Sequence, residues 1–268
     1  TTEIYTLSLH DALPILTLDR DEPKALMAKH LREFVRSDSL RVMAVVAHAA
    51  PGNMLCALPA QLRHYLELEA CDYAESNWRR LSFPVARGEN SDPALRSEEL
   101  RRNLEEELLL QLQSDGKELE RQLLRRHAPN VKGTAKRGVL WLNWGLFGQG
   151  TDCQAPLTLS QLSDWLRFSS QFLGFHCPDD LRIVSFLSIE LEATSHARLG
   201  AALEKELWHP WCADRRFRID HLPALGRVTE GHLFKYLSDE RSGCPEHIRQ
   251  DIARRLIDGT DGEFGRGV

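Results

Sequence analysis

LRIVSFLSIEL, residues 181–191, is the stretch on which the fold turns. It is apolar and partly β-branched, and far too short to cross a bilayer, which takes about 20 apolar residues. Such a run reads as a strand buried on both faces, the kind found at the centre of a parallel sheet. Working outward, LRVMAVVA at 40–47 reads the same way, and GVLWLNWGL at 138–146 gives a third strand carrying Trp141 and Trp144. Leu81–Val85 is a weaker strand because Pro84 cannot donate to a ladder. Arg216–Ile219 is a short last strand.

Helical segments fall between these strands. Asp19 followed by Asp21-Glu22-Pro23 is a helix-start pattern, and Leu26, Met27, His30, Leu31, Phe34 and Val35 then recur at helical spacing. Further helices are predicted over Met54–Leu66, from Thr158 or Ser160 to about Leu173, over Thr194–Leu207, from Thr229 through Tyr236, and from Pro245 through Ile257. Residues 87–137 read as an inserted helical hairpin, Arg96–Gln113 and Lys117–His127, divided by Ser114-Asp115-Gly116. Its leucines, among them Leu100, Leu104, Leu108 and Leu112, must bury against the domain's own sheet or against another chain. Strands alternating with helices predict an α/β fold, a parallel sheet covered on both faces. The expected organisation is one domain over 16–240, then a helix and frayed tail over 241–268.

The first fifteen residues, TTEIYTLSLHDALPI, stand apart. Written with one codon per residue, they look like a widely used short-read library adapter, matched without a gap. Residues 1–15 are therefore expected to be an artefact, with native sequence starting near Leu16 and an upstream domain missing.

Composition excludes little but orients the rest. A net charge of −5, with no basic half, implies no nucleic-acid partner. Six scattered cysteines without a C-x-x-C pair fit reduced, mostly buried thiols and a cytoplasmic location.

Ligands of parallel sheets sit at the carboxyl ends of the strands, so the turn after the first strand is where a phosphate loop belongs. A working loop needs Gly for close approach, Lys for the β/γ-phosphates and Ser/Thr for Mg²⁺. The turn from His48 through Pro51, Gly52 and Asn53 to Cys56 has one Gly and neither Lys nor Ser/Thr. A second glycine pattern, Gly145, Gly148, Gly150 and Thr151, follows the third strand, again without Lys. Asp152 and Pro156 delay any helix behind it. Glu190 and Glu192 end the strongest strand, where an NTPase places a metal-holding or water-orienting acid; without a phosphate loop they read as solvated strand-end acids. His196, His209, Cys212 and His221 form a group too loosely spaced for zinc. No G-x-S-x-G or H-E-x-x-H is present. Trp141, Trp144, Trp165, Trp208 and Trp211 read as core or interface residues. No catalytic residue, metal or cofactor is expected.

The order of segments resembles a family. Asp19-Arg20 before the first helix, Trp165 in the helix before the strongest strand, and Leu222-Pro-Ala-Leu225 with Val228-Thr229 before a terminal helix are similar to the inactive STAND module of bacterial conflict systems. The resemblance covers most of 18–240. It implies a three-layer P-loop NTPase-like fold that has lost its Walker residues. It also implies a regulatory or sensing role, exerted through protein contact with an adaptor or effector domain. The rival readings are a nucleotide-binding protein using the loop at 145–151 and an unrelated α/β scaffold.

Overall fold

The computed structural model of the chain describes residues 21–49, 76–83, 92–112, 138–146, 159–190, 214–225 and 245–259, with isolated positions 58, 59, 62, 201, 230, 231, 234 and 238. Five strands, β1 (Val42–Ala49), β2 (Ser76–Ser82), β3 (Gly138–Leu146), β4 (Leu181–Glu190) and β5 (Phe217–His221), form one sheet in the order β2-β3-β4-β1-β5. Every neighbouring pair is parallel. β1 and β4 are the two apolar runs that lie deepest, and their residues are buried almost throughout. A strand covered on both faces has no polar side to show, which is why neither run alternates.

Successive side chains leave opposite faces of a strand. On one face Val42, Ala44 and Val46 join Leu140, Leu142, Trp144, Ile183, Leu187 and Ile189. This layer is closed by α2 (Pro93–Leu112), through Leu100, Leu104, Leu108 and Leu112, and by α3 (Leu159–Arg167), through Leu162, Trp165 and Leu166. On the other face Met43, Val45, Ala47, Trp141, Val184 and Phe186 meet α1 (Asp21–Arg36), through Met27, Ala28, Leu31 and Phe34, together with Leu58 and Leu62. The result is the expected three-layer α/β architecture. Truncating one of these buried leucines to Ala removes about 2–5 kcal/mol.

The leucine stripe of 100–112 thus lies on the domain's own sheet. α2 is the helix that crosses from β2 to β3. The second limb of the expected hairpin, 117–127, lies outside the described residues, as do residues 1–15 and the helix starts at Asp19, Thr194 and Thr229. Trp141, Trp144 and Trp165 are fully buried, as expected of core residues; Trp208 and Trp211 lie outside the described residues.

Two expectations need correction. β2 spans Ser76–Ser82, not Leu81–Val85. Among the described residues it is an edge strand with only β3 beside it, so the apolar signal is weak. Pro84, read as weakening the strand, lies outside the described residues. The helix expected to stop at Leu173 changes pitch. α3 gives way to a π-helix at Phe168–Leu173 and then to a last α turn at Gly174–His176. A buried polar link anchors this widened turn. Ser169 Oγ lies 3.0 Å from Ser185 Oγ on β4, which accepts the Trp144 indole N–H from β3 at 3.2 Å. Near the C-terminus a 3₁₀ turn, Glu246–Ile248, leads into α4 (Arg249–Gly259).

The amino-terminal edge of the sheet is closed by charge. The Arg182 guanidinium, 0 % exposed, donates to the carbonyls of Asp179 and Leu181 at 2.9 Å and of Ser37 at 3.0 Å. Arg41 reaches Asp179 Oδ1 through Nη2 at 2.8 Å and the Asp38 carbonyl through Nη1 at 2.7 Å. Between them Cys177 Sγ lies 3.5 Å from the Leu181 carbonyl and 3.6 Å from that of Arg41. Burial pushes the Cys177 thiol from the ordinary 9.0 up to about 12, against the smaller pull of Arg182 and Arg41.

Candidate functional site

From β1 the chain passes to β2 at one end of the sheet, whereas from β4 it passes over β1 to β5 at the other. Adjacent strands whose connections diverge open a crevice at their carboxyl ends. Here the two last residues, Ala49 and Glu190, face each other in register. Beside them on β3, Gly145 pairs with Ser188.

His48 closes the β1 end. It is 3 % exposed and shares its face with Val46 and Ile189. Its Nδ1 lies 3.0 Å from His221 Nε2, at the end of β5, and the two rings stack with centroids 4.9 Å apart. One nitrogen must carry the proton and the other accept it. A second proton would set two N–H groups against each other. His221 is exposed on its outer side, yet its inner side lies against the buried His48, and this desolvation holds its pKa below the ordinary 6.5.

The chain after β5 lies along this edge. The Leu222 amide donates to the Val46 carbonyl at 2.9 Å, the Leu225 amide donates to the His48 carbonyl at 3.0 Å, and Leu225 forms a parallel bridge with Ala49. Carbonyls at the end of the first strand are therefore occupied by the protein's own backbone.

On the opposite face the crevice is lined by small side chains. Ala47, Ser188 and Gly145 stand side by side across β1, β4 and β3. Ser188 Oγ, on a residue 1 % exposed, has no hydrogen-bond partner, and neither has Asn143 Oδ1, although Asn143 Nδ2 donates to the Arg79 carbonyl at 3.2 Å. Buried polar atoms without partners are uncommon, and they mark places where a water, an ion or a ligand atom completes the set.

Beyond β5's other face a separate network forms. Arg218 donates to Asp220 Oδ1 through Nε at 3.0 Å and to Glu33 Oε2 of α1 through Nη1 at 2.9 Å. The Arg218 hydrogen bond holds the Glu33 carboxyl below its ordinary value. His30 Nδ1 comes within 3.0 Å of Asp220 Oδ1 but off the hydrogen-bonding axis, so proximity overstates that contact.

The residues expected to matter from sequence divide into three groups. His48, Gly145, Glu190 and His221 all reach this carboxyl edge. His48 and His221 meet; Glu190 leaves from the face opposite to theirs. Pro51, Gly52, Asn53, Gly148, Gly150, Thr151, Glu192, His196, His209 and Cys212 lie outside the described residues. Among the described residues no three His, Cys, Asp or Glu side chains converge as metal ligands. No helix among them is long and apolar enough to cross a membrane. Asn143 and Ser188 were missed, although a polar residue inside an otherwise apolar buried strand is itself a legible signal.

No family model matches the chain, and no curated protein matches it. Solved structures do. A chain of the E. coli MS115-1 HORMA:CdnC:Trip13 complex aligns at 9 % identity and a TM-score of 0.44, covering 92 % of this chain and 77 % of that one. Cdc6p from Pyrobaculum aerophilum aligns at 16 % and 0.41, covering 91 % and 58 %. A chain of Drosophila ORC bound to DNA aligns at 15 % and 0.36, covering 88 % of this chain and only 39 % of its own length.

Proposed function

We propose that this chain is a non-enzymatic regulatory or sensing module of a bacterial conflict system, a degenerate P-loop NTPase-like domain that acts by protein–protein contact. The observation that carries the reading is the occupied end of β1. His48 is held by His221, and the His48 carbonyl is bonded by Leu225. A phosphate loop needs free amides and a Lys at this place. The turn His48–Cys56 has no Lys, and the segment 222–225 runs alongside the strand end with its amides on the Val46 and His48 carbonyls. In this reading the partner is an effector or adaptor domain, and no nucleic acid is bound.

One observation favours the rival, nucleotide binding from the β3 side. The partnerless Ser188 Oγ and Asn143 Oδ1 border Gly145, the first glycine of the loop at 145–151. Calorimetry with Mg-ATP and Mg-GTP separates the two. The regulatory reading expects no heat of binding. Micromolar affinity abolished by Gly148→Val would overturn it. A pull-down with the chain in its native gene context supplies the complementary test, since failure to recruit any effector would remove the contact role.

A further inference from the structure

The π-helical turn places an unusual surface on the outside of α3. Phe168, Phe172 and His176 form a ladder at four-residue spacing. Phe168 and Phe172 stack at 5.3 Å between ring centroids, and Phe172 meets His176 at 4.7 Å. Phe168 is fully buried, so the ladder runs from the core to the surface. At its outer end Phe175 stands edge-on to His176 at 5.0 Å and is 77 % exposed, the most exposed large apolar side chain among the described residues. A cavity of about 220 Å³ opens beside it, bounded by Arg101, Arg167, Gln171, Phe172, Phe175 and His176. That is space for about seven waters, or for one large side chain.

The two arginines differ. Arg101 is committed to its own helix, at 2.7 Å from Glu105 and 3.9 Å from Glu98. Arg167 is exposed, and no ion pair or side-chain hydrogen bond joins it to the rest of the protein among the described residues. The cavity therefore offers aromatic faces and one uncommitted guanidinium. Aromatic rings stack with other rings, and a guanidinium takes a carboxylate in two parallel bonds.

We propose that this shelf docks a protein segment presenting one aromatic side chain next to one carboxylate. The proposal rests on the protein-contact reading above and names the surface used. Charge decides against a nucleic acid. A phosphate chain needs a series of cations, and only one is free here. On the adjoining α2, Glu98 and Glu105 flank Arg101 and would repel successive phosphates but leave a single carboxylate at Arg167 undisturbed.

The probe is a fluorescein-labelled peptide, Gly-Ser-Glu-Phe-Ser-Gly, titrated with the whole chain by anisotropy. Control peptides carry Lys for the Glu or Ala for the Phe. The Glu-Phe peptide should bind at least about fivefold more tightly than either control, a factor worth roughly one pairwise contact. Phe175→Ala should erase the advantage over the Ala control. Arg167→Glu should invert the preference, so that the Lys peptide binds better. Both positions are exposed, so an unchanged unfolding midpoint checks that the fold is intact. Equal binding of all three peptides, a preference that survives Arg167→Glu, or displacement of the peptide by oligothymidylate would each overturn the proposal. The pull-down separates this failure from that of the broader reading. An Arg167→Glu chain that still recruits its effector condemns the shelf alone, whereas a native chain that recruits nothing condemns the contact role.

Discussion

The two edges of the sheet are built from opposite materials. At the amino-terminal edge Arg182, Arg41 and Cys177 fill the space between β1, β4 and the loops before them, and Arg182 is matched to three carbonyls. At the carboxyl-terminal edge small or titratable side chains gather beside Ile189: Ala47, Ala49, Gly145, Ser188 and the His48–His221 pair. At one edge both Nη atoms of Arg182 find carbonyls; the other keeps partnerless oxygens at Ser188 and Asn143. The difference teaches where the chain spends its stability and where it keeps freedom. Binding sites need polar groups left available, and those groups are destabilising until something meets them.

The strongest test of this contrast is chemical. With its thiol pushed up to about 12 from the ordinary 9.0, Cys177 in the folded chain should react with iodoacetamide at about pH 8 roughly a thousandfold more slowly than after unfolding. Labelling resolved by mass spectrometry checks it, and fast labelling at Cys177 would mean that the amino-terminal edge opens. Next in size is Arg182→Met. It leaves the carbonyls of Ser37, Asp179 and Leu181 without this donor, at roughly 1–3 kcal/mol each where no other donor replaces it. A loss below about 1 kcal/mol in urea denaturation would show that the edge does not depend on it.

Ser185→Ala should remove about 1–3 kcal/mol, because the buried Trp144 indole loses its acceptor and Ser169 its partner. Trp144→Phe should cost less in the Ser185→Ala background than in the native chain, and additive effects would argue that the three side chains are independent. The smallest effect belongs to the carboxyl edge. His221 binds its proton less readily folded than unfolded, so its contribution is complete above about pH 6.5 and is lost as the pH falls through the lower folded value. Asp220 and Arg218 lie on the opposite face of β5 and do not compensate it. The unfolding midpoint should therefore fall between about pH 7.5 and pH 5, and His221→Gln should shrink that fall by the part due to the pair. An identical fall in the variant would detach the pair from the pH response.

Strands deep in the sheet were legible because burial on both faces leaves a continuous apolar run. β3 falls at the expected residues, and β1 and β4 shift by only one or two at their ends. β2 was not legible, because an edge strand needs no such run. The π-turn was invisible, since it changes pitch without changing the apolar spacing that marks a helix. At the candidate site the position of His48, Gly145 and Glu190 followed from strand order and the rule for parallel sheets. The meeting of His48 with His221 did not, because it depends on β5 lying next to β1, with the two histidines 173 residues apart and no local signal. Arg182 was passed over for a related reason: an arginine in an apolar strand reads as an exception until its carbonyl partners are in view.

Among the described residues β1 hydrogen-bonds to β4 and β5, and both follow it late in the chain. About 130 residues separate its end from β4, so at 5–20 residues per second a ribosome takes roughly 6–26 s to supply the first partner. Throughout that interval the nascent chain carries VMAVVAHA with both sides of its backbone unpaired. Such a segment is a template for association with other chains. The yield of this protein in a cell should therefore follow the supply of chaperones during synthesis more closely than it follows the stability of the finished fold.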